Sequence, residues 1–431
     1  MSSRALTVGV AGLLAIFPLA MAQQALYAQC GGIGWTGGTT SSTTTTATVT
    51  ATTTTSTGTG ATTTSTSSAS AATSTDNPYV GHTVYLSPYY AAEIKAAVSS
   101  ISDSTLAAKA AKVSSIPTFT WFDTMAKVPT LGTYLADALS IQTSTGVKQI
   151  VQIVVYDLPD RDCHAKASNG ELTIANGGAA LYKQYIDDIS AWITKYPDVR
   201  VVAVVEPDSL ANLVTNLSDS KCANAASTYK ELVAYAVQKL SQSNVYLYLD
   251  AGHAGWLGWS ANIQPAAQMF ASILTQAGGT YRVRGLATNV ANYNALNAAS
   301  PDPITSGNSN YDENHYINAL APLLTQNSFP AHFIVDQGRS GVQNIRNQWG
   351  DWCNILGAGF GTQPTTNTGN SLIDAIVWVK PGGESDGTSN TTSPRYDSTC
   401  GLSDATQPAP EAGTWFQTYF QTLVSKANPA L

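Results

Sequence analysis

Two acidic clusters carry the chemistry open to this sequence. Tyr156-Asp157-Leu158-Pro159-Asp160-Arg161-Asp162-Cys163 follows the apolar run Ile150 to Val155, and Glu206-Pro207-Asp208 follows Val201 to Val205. Both runs are rich in β-branched residues, so each cluster falls where a buried parallel strand would end. Between them, Leu181, Tyr185, Ile186, Ile189, Trp192 and Ile193 recur at helical spacing within Ala179 to Tyr196. The whole span therefore reads as one βαβ unit. Adjacent strands lie about 4.8 Å apart, so Asp162 and Asp208 can share one cleft despite their separation in sequence. Paired carboxylates of that kind suit acid–base cleavage of an acetal. Asp208 has a competing structural reading, since an Asp before Ser209-Leu210-Ala211 is also a common helix cap.

The elements that must position these residues alternate short apolar runs with amphipathic stretches from about Asp76 onward, the pattern of α/β architecture with a parallel sheet. Seven strands are expected: Ile116 to Trp121, Lys148 to Tyr156, Val199 to Glu206, Asn244 to Asp250, Val283 to Asn289, Ala331 to Asp336 and Asp374 to Lys380. Each ends in or just before polar or aromatic residues, which in a β/α barrel would line the active-site face. An open doubly wound sheet is the alternative. It is weakened in its nucleotide-binding form because no Gly-x-Gly-x-x-Gly follows any of these strands.

The chain has 431 residues, a net charge of −7 and only 21 Lys and Arg. That balance gives no clustered basic surface for nucleic acid. Residues 1–22 read as a secretory signal, with Arg4, an apolar centre from Leu6 to Leu19, and Ala20-Met21-Ala22 as the cleavage site. The apolar run is short of the ~20 residues of a membrane span, and no later stretch is longer. Residues 39–75 are almost wholly Thr, Ser, Ala and Gly, too poor in apolar surface to fold, and read as a linker. Residues 76–431 form the catalytic domain in this reading, and the chain is expected to be a secreted, extracellular monomer that does not engage membranes.

Of five cysteines, Cys163, Cys222, Cys353 and Cys400 fall in the globular part. A secreted chain would oxidise them, and four cysteines allow three pairings among which sequence does not choose. The expectation adopted is local pairing, Cys163 with Cys222 and Cys353 with Cys400. No metal site is expected, since neither Cys-x-x-Cys nor His-x-x-x-His occurs. Asn216 (Asn-Leu-Ser) and Asn390 (Asn-Thr-Thr) are candidate N-glycosylation sites.

Taken in order, Tyr-Asp-Leu-Pro-Asp-Arg-Asp-Cys (156 to 163), Glu-Pro-Asp-Ser-Leu-Ala-Asn-Leu-Val (206 to 214), Asp-Ala-Gly-His-Ala-Gly-Trp-Leu-Gly-Trp (250 to 259) and Trp-Val-Lys-Pro-Gly-Gly-Glu (378 to 384) resemble glycoside hydrolase family 6. The resemblance spans essentially all of Asp76 to Leu431. It implies a distorted seven-stranded parallel β/α barrel, TIM-like, with loops that roof an active-site tunnel. The implied activity is inverting hydrolysis of the β-1,4 bonds of cellulose and cello-oligosaccharides, releasing cellobiose from non-reducing ends, with water as co-substrate and no cofactor. A family 6 endoglucanase and an inactive glucan-binding protein are the alternatives.

Site roles follow from the same resemblance. Asp208 would be the general acid and Asp162 the neighbouring carboxylate that raises its proton affinity. Asp386 matches the family's candidate base, Tyr156 would lie against the distorted sugar ring, and Arg161 would steady the carboxylates. Trp121, Trp256, Trp259 and Trp352 would stack successive glucosyl units, since a pyranose presents an apolar C–H face. Asp123, Ser168, Asn169, His253, Asn292, Lys380 and Glu384 would meet hydroxyls or water. Gln29-Cys30-Gly31-Gly32-Ile33-Gly34-Trp35 resembles the opening of a family 1 carbohydrate-binding module, but Cys30 stands alone, so residues 23–38 are read as vestigial.

Overall fold

The computed structural model describes residues 77–278 and 281–431. The segments read from the sequence as signal, vestigial module (with Cys30) and linker lie outside the described residues.

Among the described residues eight parallel strands form one curled sheet: β1 (Thr83–Val84), β2 (Thr120–Phe122), β3 (Gln149–Val155), β4 (Arg200–Val205), β5 (Val245–Asp250), β6 (Val283–Thr288), β7 (Phe333–Asp336) and β8 (Ile373–Val377). They occupy seven positions, because β1 pairs with the first half of β3 (Thr83 opposite Gln149) and β2 with its second half (Thr120 opposite Ile153). From β3 to β8 the strands then follow sequence order. The barrel is distorted at its seam, where single contacts replace a ladder. Phe119 N–H donates to Trp378 O at 3.2 Å, and Trp121 Nε1 to Val379 O at 2.9 Å. The first expected strand is accordingly shorter than Ile116 to Trp121, and β1 was not expected at all.

The helices are α1 (Pro88–Ser99), α2 (Ser104–Lys112), α3 (Val128–Thr145), α4 (Gly178–Thr194), α5 (Ser209–Thr215), α6 (Ser220–Leu240), α7 (Ile263–Ala277), α8 (Glu313–Gln326) and α9 (Gln417–Ser425). Helix α4 buries Tyr182, Tyr185, Ile186, Ile189 and Ile193, the spacing of one helical face. Each such side chain contributes roughly 1.5–3 kcal/mol of burial. Leu181, one residue off that stripe, is 44% exposed and Trp192 is only half-buried, which corrects the expected face.

Strand alternation divides the core in two. Val151, Ile153, Val155, Val201, Ala203 and Val205 point outward to the helices, while Ile150, Val154, Val202, Val204, Tyr246 and Tyr248 fill the barrel. Both faces are thus apolar, which explains the uninterrupted runs in the sequence. At the N-terminal end of the barrel, Asp374 takes bonds from Tyr248 OH (2.7 Å) and Arg284 (2.8 and 2.9 Å), a satisfied buried network. Gly285 is required by a close approach: a Cβ there would lie 1.7 Å from His332 O.

Candidate active site

The acidic residues converge at the C-terminal ends of β3, β4 and β5. Register aligns Val155 with Val205 and Val205 with Leu249, so the residues just beyond become neighbours. Asp160, Asp162, Glu206 and Asp208 all have left-handed backbones, with φ of 56°, 59°, 50° and 67°. Such conformations cost about 1–3 kcal/mol each in a non-glycine residue and are held by their surroundings. Glu206 does part of the holding, since its buried carboxylate accepts Asp157 N–H (3.1 Å) and Leu158 N–H (3.4 Å).

Asp208 occupies the cap position of α5, yet its side chain makes no capping bond. The left-handed turn directs the carboxyl away from the helix start, so the capping reading fails. Burial, then Asp250, then Asp162 push its pKa well above the ordinary range for an aspartate. A carboxyl so placed is a protonated donor. Asp162, the expected partner, contributes to the rise, and Asp250 contributes more. Asp250, raised to about 6 by its own burial, accepts Asp208 N–H at 2.9 Å and Gly252 N–H at 3.1 Å. Asp162 is raised by burial and opposed by Ser168 N–H (3.0 Å), Lys221 and Arg161.

Arg161 is buried and donates to Ser168 O, Asp123 O and Tyr156 O, and its ion pair is with Asp157 at 3.2 Å. It steadies the loop that carries Asp162 and acts on that carboxylate through its charge. Its guanidinium carbon stands 4.4 Å from the centre of the Tyr156 ring, which meets Trp121 edge-on at 5.2 Å. Lys380 Nζ lies 5.6 Å from the Trp121 ring and 3.8 Å from Glu384. Asp123 pairs with Lys127 at 2.6 Å. Asn169 Oδ1 accepts Lys221 Nζ at 2.8 Å, which leaves its amide N–H groups for a ligand.

Further round the barrel, His253 Nδ1 faces two donors, Gly255 N–H (3.2 Å) and Asn294 Nδ2 (3.3 Å). With burial and Arg346 pushing its pKa down to about 3, the ring is neutral and carries its proton on Nε2. Trp256 is fixed by Thr215 Oγ1 (2.7 Å) and Trp259 by Gly255 O (2.8 Å), and both are half-buried. Gly255 lets Trp349 pack closely, since a Cβ there would sit 2.3 Å from that indole. Asn292 Oδ1 is taken by Arg346 (3.0 Å) and Tyr293 N–H (2.7 Å), so its amide nitrogen remains to donate.

Asp386 is buried against an equally buried arginine. Arg339 Nη1 reaches Oδ1 at 2.8 Å and Oδ2 at 2.7 Å, and Oδ2 also accepts Tyr293 OH (2.9 Å) and Asn354 N–H (2.9 Å). Sequence reasoning missed Arg339, Tyr293 and Lys221. Arg339 lies three residues past the end of β7, the same strand-mouth position that drew attention to the aspartates.

Disulfides Cys163–Cys222 and Cys353–Cys400 brace the two loops above the acids. The loops touch: Ala167 packs with Cys353, Cys400 and Trp352, and Arg395 Nε donates to Ala167 O at 3.0 Å. A surface cavity of about 470 Å³ lies at the other end of the barrel, around Asn77, Arg284 and Asp374, and holds none of these groups. Among the described residues, no group of three or more His, Cys, Asp or Glu is arranged to hold a metal ion, and no helix is long and apolar enough to cross a membrane.

The model of the glycosyl hydrolases family 6 matches residues 79–427. The chain is 62% identical over 440 residues to Exoglucanase 3 of Agaricus bisporus, covering 98% of this chain and 99% of that protein. Among solved structures, it resembles the CcCel6A catalytic domain complexed with p-nitrophenyl β-D-cellotrioside (63% identity, 83% of this chain, 99% of that one, TM-score 0.82). It also resembles cellobiohydrolase II (Cel6A) from Humicola insolens in complex with glucose and cellotetraose (54% identity, 83% of this chain, 100% of that one, TM-score 0.82).

Proposed function

The chain belongs to glycosyl hydrolase family 6, and from that premise we propose that it is an inverting cellulase releasing cellobiose from the non-reducing ends of cellulose chains. The observation that carries this reading is Asp208, a half-buried residue whose carboxyl makes no capping bond and is held toward its protonated form by desolvation, Asp250 and Asp162. It donates its proton to the departing glycosidic oxygen as the C–O bond breaks. An ionised Asp162 offsets the positive charge that develops on the sugar ring in an oxocarbenium-like transition state. Asp386 acts as base through a water. Its Oδ1, which takes only the Arg339 bond among the described residues, keeps a lone pair for that purpose.

Trp121, Trp256, Trp259 and Trp352 supply the sugar platforms, and His253 Nε2–H, Asn292, Lys380 and Glu384 the polar contacts. The contact between the two disulfide-braced loops supports a roof over the cleft, which favours entry by a chain end. Secretion, a monomeric state, the glycans at Asn216 and Asn390, and the division into signal, vestigial module, linker and catalytic domain belong to the same proposal.

The test is the product profile on cellohexaose with the anomer resolved by proton NMR in the first minutes. Cellobiose and cellotetraose with fresh α-anomer are expected. Cellotriose as main product points to endo cleavage, an initial β-anomer to a covalent intermediate, and untouched substrate to a glucan-binding protein.

A further inference from the structure

We propose that Lys221, on the first turn of α6, is a positioning residue that holds Asp162 in its left-handed turn and keeps it ionised. This rests on Asp162 working as an anion beside Asp208. Lys221 Nζ donates to Asn169 Oδ1 (2.8 Å), Asp162 O (3.1 Å) and Arg161 O (3.4 Å), so one ammonium spans both ends of the 161–169 loop. The same helix grips that loop twice more, through the Cys222–Cys163 disulfide and through Tyr229 OH to Asp160 O at 2.7 Å. Those two ties account for the loop's attachment without any charge. What Lys221 adds is a half-buried cation at the one carbonyl whose residue carries the acidic side chain.

The groups facing Asp162 make that charge count. Asp208 from the end of β4 and the hydroxyls of Tyr156 and Tyr229 face it uncharged, while burial and Asp397 from the C-terminal loop disfavour its anion. Against them stand Ser168 N–H, Lys221 and Arg161, and Arg161 is already paired with Asp157. Burial lowers the Lys221 pKa, while Asp162, Asp160 and Asp219 work to raise it. Among the described residues, Lys221 is therefore the cation serving this acid that makes no close ion pair with another carboxylate.

The experiment compares Lys221→Met, of similar length but neutral, with Lys221→Arg, using kcat and KM on cellotetraose from pH 3 to 8 alongside thermal unfolding. Lys221→Met should lose about tenfold in kcat near pH 4, recover toward pH 7, and keep KM within about twofold. Its acid limb should move to higher pH, and Lys221→Arg should restore it. In an Asp162→Asn background, Lys221→Met should change the profile no further. A parent-like profile, a loss uniform in pH that tracks a loss of Tm, or an equal loss in the Asp162→Asn background overturns the proposal. Parent-like hydrolysis by Asp162→Asn alone overturns instead the premise that Asp162 takes part.

Discussion

Replacing Asp250 by Asn should leave acid activity intact and remove activity selectively at high pH. The substitution keeps an oxygen to accept Asp208 N–H and Gly252 N–H, so the turn survives and only the charge is lost. Because Asp208 N–H sits 2.9 Å from Asp250 Oδ2, covalent geometry keeps the two carboxyl groups within about 7 Å of each other, and about 6 Å serves as the working separation. At that distance and an effective dielectric of about 20, two like charges repel by about 2.8 kcal/mol, a factor of about one hundred in the proton occupancy of Asp208. The repulsion exists only where Asp250 is itself ionised, above about pH 6. Removing it lets Asp208 ionise at lower pH, so the alkaline limb of kcat/KM moves down. Initial rates on cellotetraose should stay within about threefold of the parent at pH 4.5, and the ratio of rates at pH 8 to pH 4.5 should fall by up to about a hundredfold. Asp208→Asn, unable to donate, should fail at every pH. An unmoved or upward-moving alkaline limb in Asp250→Asn would refute the idea that Asp250 keeps the acid protonated.

Arg339→Met should be far more costly than Lys183→Met, although both wild-type pairs measure 2.7 Å. Arg339 and Asp386 are buried, whereas Lys183 and Glu231 are 39% and 57% exposed. Breaking a buried pair costs about 3–5 kcal/mol against about 0–1 for an exposed one, and over roughly 350 residues 1 kcal/mol moves Tm by about 1.4 °C. Calorimetry should show losses of about 4–7 °C and about 1 °C, and equal losses would contradict the argument. Glu313, fully buried and raised to about 7 by that burial, stabilises the fold while protonated. Its contribution is complete below about pH 4.5 and lost as pH rises through about 7. Glu313→Gln should therefore match the parent in Tm at pH 4 and exceed it by about 4–5 °C at pH 8; a constant difference across pH would show that Glu313 does not titrate in the folded state.

The strands were legible because a parallel sheet covered on both faces must be apolar at every position, and β3 to β8 stand within a few residues of the runs that announce them. β1 had no such signal, since Thr83 and Val84 form a strand only by meeting Gln149 and Ile150. The chemistry of the site was equally visible, because carboxylates after strand-forming runs collect at one end of a barrel whatever the details. The sequence left three points open. Asp208 reads equally well as a cap or an acid until φ of 67° turns its carboxyl out of the cap position. Four cysteines permit three pairings until the chain brings Cα atoms of Cys163 and Cys222 to 4.9 Å and those of Cys353 and Cys400 to 5.0 Å. The partners of Asp386 are more distant still: Arg339 arrives from the end of β7 and Tyr293 from the end of β6, segments with no local pattern linking them to it. Local periodicity reports which face of an element is buried, whereas the identity of a buried charge's partner depends on which strand ends the barrel closes upon, and that is decided only in three dimensions.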